Sequence, residues 1–296
     1  PLADDAAVAL IEMRMSEANA DTAHARGILV DYASFQKQYP HSDRLDLAVL
    51  RTADAHRTIA AVDTGYVRTA ESGYREFIRR FPDSALADRA AFGLGACQAL
   101  AGDYVASEET LRSFLFDFPG SSLIDDVRFE LGRILMAREY YRSAAEEFSE
   151  LLAAPSSLRL ERTARARLAE CYFRAGDFSR AIDEDIVLLR RGPDGPALRR
   201  LARAYQGNGR PDFAVDVYAS FLQYFPDAAD ADSIAYSRAD LLSHMKRTAE
   251  AVSAFQGLAQ RFPDSALAPD AEARAADLLF DRSDFGRALA GYRRIP

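Results

Sequence analysis

The sequence predicts an all-α solenoid of about eight helix-turn-helix pairs. Three observations carry the prediction. A phrase built on Phe-Pro-Asp-Ser recurs along the 296 residues, a turn anchor returns at a nearly constant step, and small residues hold two fixed places in each period. Self-similarity of this length is the mark of stacked repeats.

The phrase stands at 77–84, 114–121, 221–228 and 258–265, with an early relative at 35–42. The anchor is clearest as Gly102-Asp103-Tyr104 and Gly176-Asp177-Phe178. Its equivalent positions are 65, 102, 139, 176, 209, 246 and 283, at steps of 37, 37, 37, 33, 37 and 37. Five residues past each anchor stands a small residue: Ala70, Ser107, Ala144, Ala181, Ala214, Ala251 and Ala288. Seven before the last six stand Gly95, Gly132, Ala169, Ala202, Ala239 and Ala276. Small residues at fixed places let helix backbones approach closely. Leu94, Leu131, Leu168 and Leu201 fill the layers, with Phe148, Tyr218, Phe255 and Tyr292 on the partner helices.

Each half-period is helical by its own chemistry. Segments 159–174 and 231–244 are rich in Ala, Leu and Arg, which favour helix. The proline of each phrase cannot continue the preceding helix. Asp83, Ser84, Asp264 and Ser265 are the expected N-caps of the next one. Gly102 and Gly176 suit the left-handed residue that closes a first helix. No segment alternates strictly as a strand does.

The expected organisation is a single solenoid over 1–296, with degenerate pairs over 1–82 and regular repeats over 83–296. The first pair spans about 2–39, and the second opens with a helix near 44–62, about five residues longer than the norm. The junction at 191–196 is shortened and holds two prolines, which makes it the candidate for a change of curvature. The last helix is expected over 285–295. Its apolar face, from Phe285 to Tyr292 and Ile295, has no polar cap after it, so a continuing chain or an oligomer is expected to cover it.

Composition narrows the function. The net charge of −8 argues against a nucleic-acid binder, which needs a basic face. No run approaches the roughly 18 apolar residues of a membrane span. The chain opens on Pro1 without Met, which reads as a processed or trimmed product, so a removed lipoprotein signal with membrane association is compatible with it. Cys97 and Cys171 share one repeat position two repeats apart and are expected to be free, packed thiols. His24, His41, His56 and His244 do not cluster, so no metal site is expected. The acid pairs Glu108-Glu109, Asp125-Asp126 and Glu146-Glu147 read as solvated helix faces, since neighbours on a helix do not face each other. No catalytic constellation, phosphate-cradling loop or cofactor motif is present, so the chain reads as a non-enzyme with no cofactor.

The register of Gly95, Gly102-Asp103-Tyr104, Ser107 and Pro119, and of Ala169, Gly176-Asp177-Phe178, Ala181 and Pro193, resembles the tetratricopeptide family. Leu111 and Asp185 depart from it where an aromatic is usual. The resemblance covers nearly the whole chain and implies a right-handed superhelical solenoid that binds other proteins. The period of 37 and the Phe-Pro-Asp-Ser phrase are similar in style to the bacterial cell-envelope branch, which includes the β-barrel assembly lipoprotein and a Tol-Pal-associated periplasmic protein. That likeness implies a periplasmic or envelope location, with the cytoplasm as the alternative.

In this family the first helix of each pair lines the groove. Carried over by position, the partner-binding candidates are Phe92, Phe129, Arg133, Arg174, Arg199, Arg203 and Tyr236, followed by an acidic end at Asp240, Asp277 and Asp281. Arg beside Phe and Tyr is a composition favoured at interface hot spots. The four arginines suit the carboxylates of an acidic or extended peptide segment. Arg174 and Glu170, four apart on one helix, are alternatively partners of each other. Three functions follow: a protein-binding scaffold, the repeat portion of a longer protein whose activity lies elsewhere, and a solenoid enzyme, which the missing catalytic residues disfavour.

Overall fold

The computed structural model describes residues 2–17, 22–153 and 158–295. Among these residues the chain is all-helical, a solenoid of sixteen α-helices in pairs. It divides into two compact units, Pro1–Glu161 and Arg162–Pro296.

The first unit carries α1 (Leu2–Glu17), α2 (Thr22–Gln38), α3 (Leu45–Ala60), α4 (Val67–Arg80), α5 (Ala87–Leu100), α6 (Tyr104–Asp117), α7 (Ile124–Ala137) and α8 (Tyr141–Ala153). Each of these helices packs on the next. The second unit carries α9 (Leu158–Arg174) from Arg162 onward, then α10 (Phe178–Leu189), α11 (Gly195–Gly207), α12 (Pro211–Tyr224), α13 (Ala231–His244), α14 (Thr248–Arg261), α15 (Ala268–Asp281) and α16 (Phe285–Tyr292). Helices α10 to α16 likewise pack in chain order. The shortened junction at 191–196 lies inside this unit, where Asp194 caps α11 by accepting from the Ala197 N–H at 3.0 Å.

The repeat is legible in the packing. Ala70, Ser107, Ala144, Ala181, Ala214, Ala251 and Ala288 are all at most 1% exposed. Gly95 and Gly132 are buried too, and a Cβ on either would lie 2.6 Å from Leu111 or 2.5 Å from Phe148. Six anchor positions take the left-handed conformation: Gly102, Glu139, Gly176, Gly209, Lys246 and Ser283. There the next residue's N–H reaches back to close the first helix, as Asp103 N–H does to the Gln98 carbonyl at 2.9 Å. Asp103, Asp177 and Asp284 then cap the second helices.

The recurring phrase has a two-part role. Its aromatics pair four residues apart at the helix end: Phe77 with Phe81, Phe114 with Phe118, and Phe221 with Phe225, at 5.2–5.5 Å between ring centroids. Its serine does not cap the next helix as expected. Helices α5 and α15 begin after Leu86 and Leu267, which have no side-chain cap. Ser84 Oγ instead accepts from the Leu86 N–H at 3.1 Å and donates to Asp46, one repeat earlier, at 2.5 Å. Ser42 with Asp4, Ser121 with Asp88, and Ser265 with Asp232 repeat that lateral bond.

Other expectations are also corrected. Helix α3 has 16 residues against 14 in α5, because part of the extra length forms a 3-10 turn at Thr64–Tyr66. Helix α16 ends at Tyr292, short of 295. The acid pairs are not simply solvated. Glu147 is 8% exposed and takes both Arg112 (3.3 Å) and Arg128 (3.1 Å), Glu108 takes Arg112 and Arg138, and Asp125 is buried.

Candidate functional site

In the first unit the first helices of successive pairs touch, α3 on α5 and α5 on α7. Polar bridges tie their shared side. Arg51 of α3 holds Glu12 of α1 at 2.7 Å, and Arg89 of α5 reaches Asp54 of α3 at 3.3 Å. Tyr32 donates to Glu12 and Tyr74 to Asp54, each at 2.6 Å. Burial and the Asp54 charge raise the Tyr74 hydroxyl well above the usual tyrosine range, which keeps it a donor. This network was not foreseen from sequence, because all its members but Arg89 sit in the two least regular pairs.

The first-unit candidates are partly used by the fold. Phe92 packs partly buried beside Leu111 and Leu131. Phe129 meets Phe148 edge to face at 5.7 Å. Arg133 is exposed, with both nitrogens of its fork on Glu130 of the same helix at 2.9 and 3.0 Å.

In the second unit, α9, α11, α13 and α15 present a row joined by cross-helix contacts. Arg200 of α11 reaches Glu170 of α9, and Arg203 lies over the Phe173 ring of α9 at 5.3 Å. Arg199 holds Asp230, the residue before α13, at 2.6 Å and covers the Phe221 ring at 4.7 Å. Tyr236 of α13 donates to Asp270 of α15 and packs edge to face on Phe255 at 5.4 Å. Arg174 pairs with Glu170 at 2.8 Å, as its spacing allowed. Burial works to raise the Glu170 carboxyl, but Arg174 and Arg200 outweigh it and hold it below the usual range.

These contacts divide the candidates. Arg199 and Tyr236 are engaged in holding the start of one helix to the next. Arg203 is exposed and, among the described residues, has no carboxylate within ion-pair distance; its charge rests only on an aromatic face. Beyond it the row turns acidic at Asp240, which meets His244 at 3.2 Å, and at Asp277, which accepts from Tyr292 at 2.5 Å.

Cys97 and Cys171 are free and fully buried, as expected, and burial pushes both thiols up to about 12. No group of three or more His, Cys, Asp or Glu among the described residues is placed to hold a metal. The side chain of His24 lies outside the described residues.

The tetratricopeptide repeat family model matches residues 59–122, 129–196 and 199–266, more than half of the sequence. The chain belongs to the tetratricopeptide repeat family. No curated protein sequence matches it. Solved structures share the fold. The C-terminal part of a tetratricopeptide repeat protein from Cytophaga hutchinsonii superposes with a TM-score of 0.60 at 14% identity, covering 82% of this chain and 91% of that one. A tetratricopeptide repeat protein from Parabacteroides merdae gives 0.54 at 15% identity, covering 84% and 91%. The MamA protein gives 0.53 at 18% identity, covering 64% and 96%. Tetratricopeptide repeats generally mediate contacts between proteins, and this chain has their layered helix pairs, small-residue seams and left-handed turns.

Proposed function

We propose that this tetratricopeptide chain is a non-catalytic scaffold that holds a partner protein on the first-helix row of its second unit. The observation that carries the reading is Arg203: exposed, resting on Phe173, and with no acid among the described residues within ion-pair distance. A guanidinium supported on a ring is pre-organised to accept a carboxylate through charge-assisted bonds. Arg174, the residue after Phe173 on α9, is exposed and shares Glu170 with Arg200, so an incoming acid competes for it at little cost. The ligand is an acidic or extended segment of a protein. Its other end meets the acidic stretch at Asp240 and Asp277 with a basic or hydroxyl-bearing side.

The location we propose is the bacterial cell envelope. The 37-residue period and the Phe-Pro-Asp-Ser phrase support it through their likeness to envelope members of the family. No described helix is long and apolar enough to cross a membrane.

The test is a pulldown after in-cell crosslinking, with wild type beside an Arg174→Glu/Arg203→Glu variant, and fractionation of the same cells. Arg199 is left intact because it holds Asp230. A specific envelope protein captured by wild type and lost by the still-helical variant supports the reading. Equal capture by both sinks it, and recovery only in the cytosolic fraction sinks the location.

A further inference from the structure

A cleft of about 470 Å³ lies between α12, α13 and α14 in the second unit. It is of the size that takes small organic ligands. Its polar groups are Arg238, Arg261, Ser253 and Glu250, and Leu222 and Phe262 are among its apolar lining. Arg238 follows Tyr236 by two residues, about 200° around the helix, so the cleft opens away from the first-helix row.

Arg238 occupies a position that holds Leu94, Leu131, Leu168 and Leu201 in four repeats, Ala275 in the last and Arg57 in the second. Arg57 donates from Nε to the Tyr74 hydroxyl at 3.0 Å, whereas the residue equivalent to Tyr74 in the repeat of Arg238 is Phe255, which offers no acceptor. The Arg238 Nε is buried without a hydrogen-bond partner, and its charge acts on Glu250 only from a distance. A buried donor left unsatisfied is costly. Packing does not explain such a residue, whereas a ligand that accepts from it does.

The surroundings specify the ligand. Arg261 donates to the Pro226 carbonyl at 3.1 Å and lies over the Phe262 ring at 5.2 Å. Glu250, the one acid in the lining, is already held by both nitrogens of the Arg247 fork at 2.8 and 2.7 Å. Two guanidiniums therefore face a half-apolar cleft whose one carboxylate, Glu250, is bonded to Arg247 and meets Arg238 through charge alone. The equivalent cleft in the first unit, about 360 Å³, has Glu109 and Asp117 at the positions of Ser253 and Arg261. The positive charge is thus particular to the second cleft and is not a property of the repeat.

We propose that this cleft binds an anion that joins one carboxylate to an apolar body. The carboxylate sits on Arg238 and Arg261, and the apolar body lies against Leu222, Leu258 and Phe262. Such an anion is either a free organic acid or the C-terminal carboxylate of a peptide with an apolar last residue.

Calorimetric titration with octanoate, and with a leucine-terminated pentapeptide bearing a free C-terminus, tests this. Octanol and the C-amidated pentapeptide are the uncharged controls. Saturable binding of at least one acid is expected, with its control weaker by about tenfold or more, some 1.4 kcal/mol. Octanoate alone binding identifies a free acid; the peptide binding identifies a chain terminus. Arg238→Leu introduces the residue that four sister repeats carry there, so it should stay folded and lose binding by about tenfold or more. Gly257→Phe fills the cleft from a position where an added Cβ meets nothing within 4 Å, and should do the same. No saturable binding of either acid, or wild-type affinity in either variant, overturns the proposal. None of these outcomes depends on Arg174 or Arg203.

Discussion

Asp185 of α10 and Arg200 of α11 form a buried ion pair at a position where the other repeats place an apolar or aromatic side chain. Asp185 is fully buried and the Arg200 side chain is 9% exposed, with Nε donating to Oδ2 at 3.1 Å. The sister residues are Tyr74, Leu111, Phe148, Tyr218, Phe255 and Tyr292. Desolvating two charges offsets most of their attraction. Replacing both together (Asp185→Phe with Arg200→Met) is therefore expected to be neutral or to stabilise by about 1–4 kcal/mol. Removing Arg200 alone by Arg200→Ala should cost about 3–5 kcal/mol, because it strands a buried acid. Denaturant unfolding followed by circular dichroism measures both. A double variant less stable than Arg200→Ala would contradict the account.

The same pair gives a pH dependence. Burial pushes the Asp185 carboxyl up to about 7, against the pull of Arg200. In the unfolded chain it titrates near 3.9. Between about pH 4 and 7 the folded state holds a proton that the unfolded state releases, so this residue's contribution to stability falls as pH rises. Acids held below their usual range, such as Glu12 and Glu170, contribute in the opposite sense, losing stability as the pH falls toward acid. The readout is thus a difference. The melting temperature of Asp185→Leu minus that of wild type should grow from about pH 5 to about pH 8. A difference that is flat or shrinks refutes the assignment.

Three anchor residues carry side chains in the left-handed conformation: Glu139 at φ 62°, Lys246 at 61° and Ser283 at 63°. That conformation costs an L-residue about 1–2 kcal/mol, part of which glycine returns as chain entropy. Glu139→Gly and Lys246→Gly are each expected to stabilise by about 0.5–1 kcal/mol. Gly102→Ala and Gly176→Ala, at φ 79°, are expected to destabilise by a similar amount. The four melting temperatures check this together.

Two glycines within helices should respond oppositely to alanine. A Cβ at Gly132 lies 2.5 Å from the Phe148 ring, so Gly132→Ala overpacks the seam and should cost about 1–3 kcal/mol. A Cβ at Gly257 meets nothing, so Gly257→Ala should gain about 0.5–1 kcal/mol from helix propensity. Equal effects at the two sites would mean that close backbone approach is not what the small-residue seam provides.

What the sequence revealed and what it hid have physical reasons. The seam from Ala70 to Ala288 and the turns at Gly102 and Gly176 were legible, because close approach and positive φ each demand a residue type at a fixed interval. Ser84 was noticed but given the wrong role. Its true partner, Asp46, lies a repeat away, and lateral bonds leave no local pattern. Asp185 showed as a departure from the aromatic position, but Arg200 did not, since nothing periodic marks it. Of the site candidates, position alone placed Arg199 and Arg203 in one row. It could not tell that Arg199 is engaged with Asp230 while Arg203 has only a ring beneath it. Arg238 was hidden because its column is mixed, with four leucines beside Arg57 and Ala275, so periodicity alone does not mark it.

The most direct test of the central claim is site-specific photocrosslinking in cells. A photoreactive residue replaces exposed Gln206, about one turn beyond Arg203 in the first-helix row, and in a second strain replaces exposed Gln223 at the end of α12. The account predicts one discrete crosslinked protein at 206, abolished by Arg203→Glu, and none at 223. A discrete product at 223 with none at 206 would contradict it and move the binding surface off the first helices.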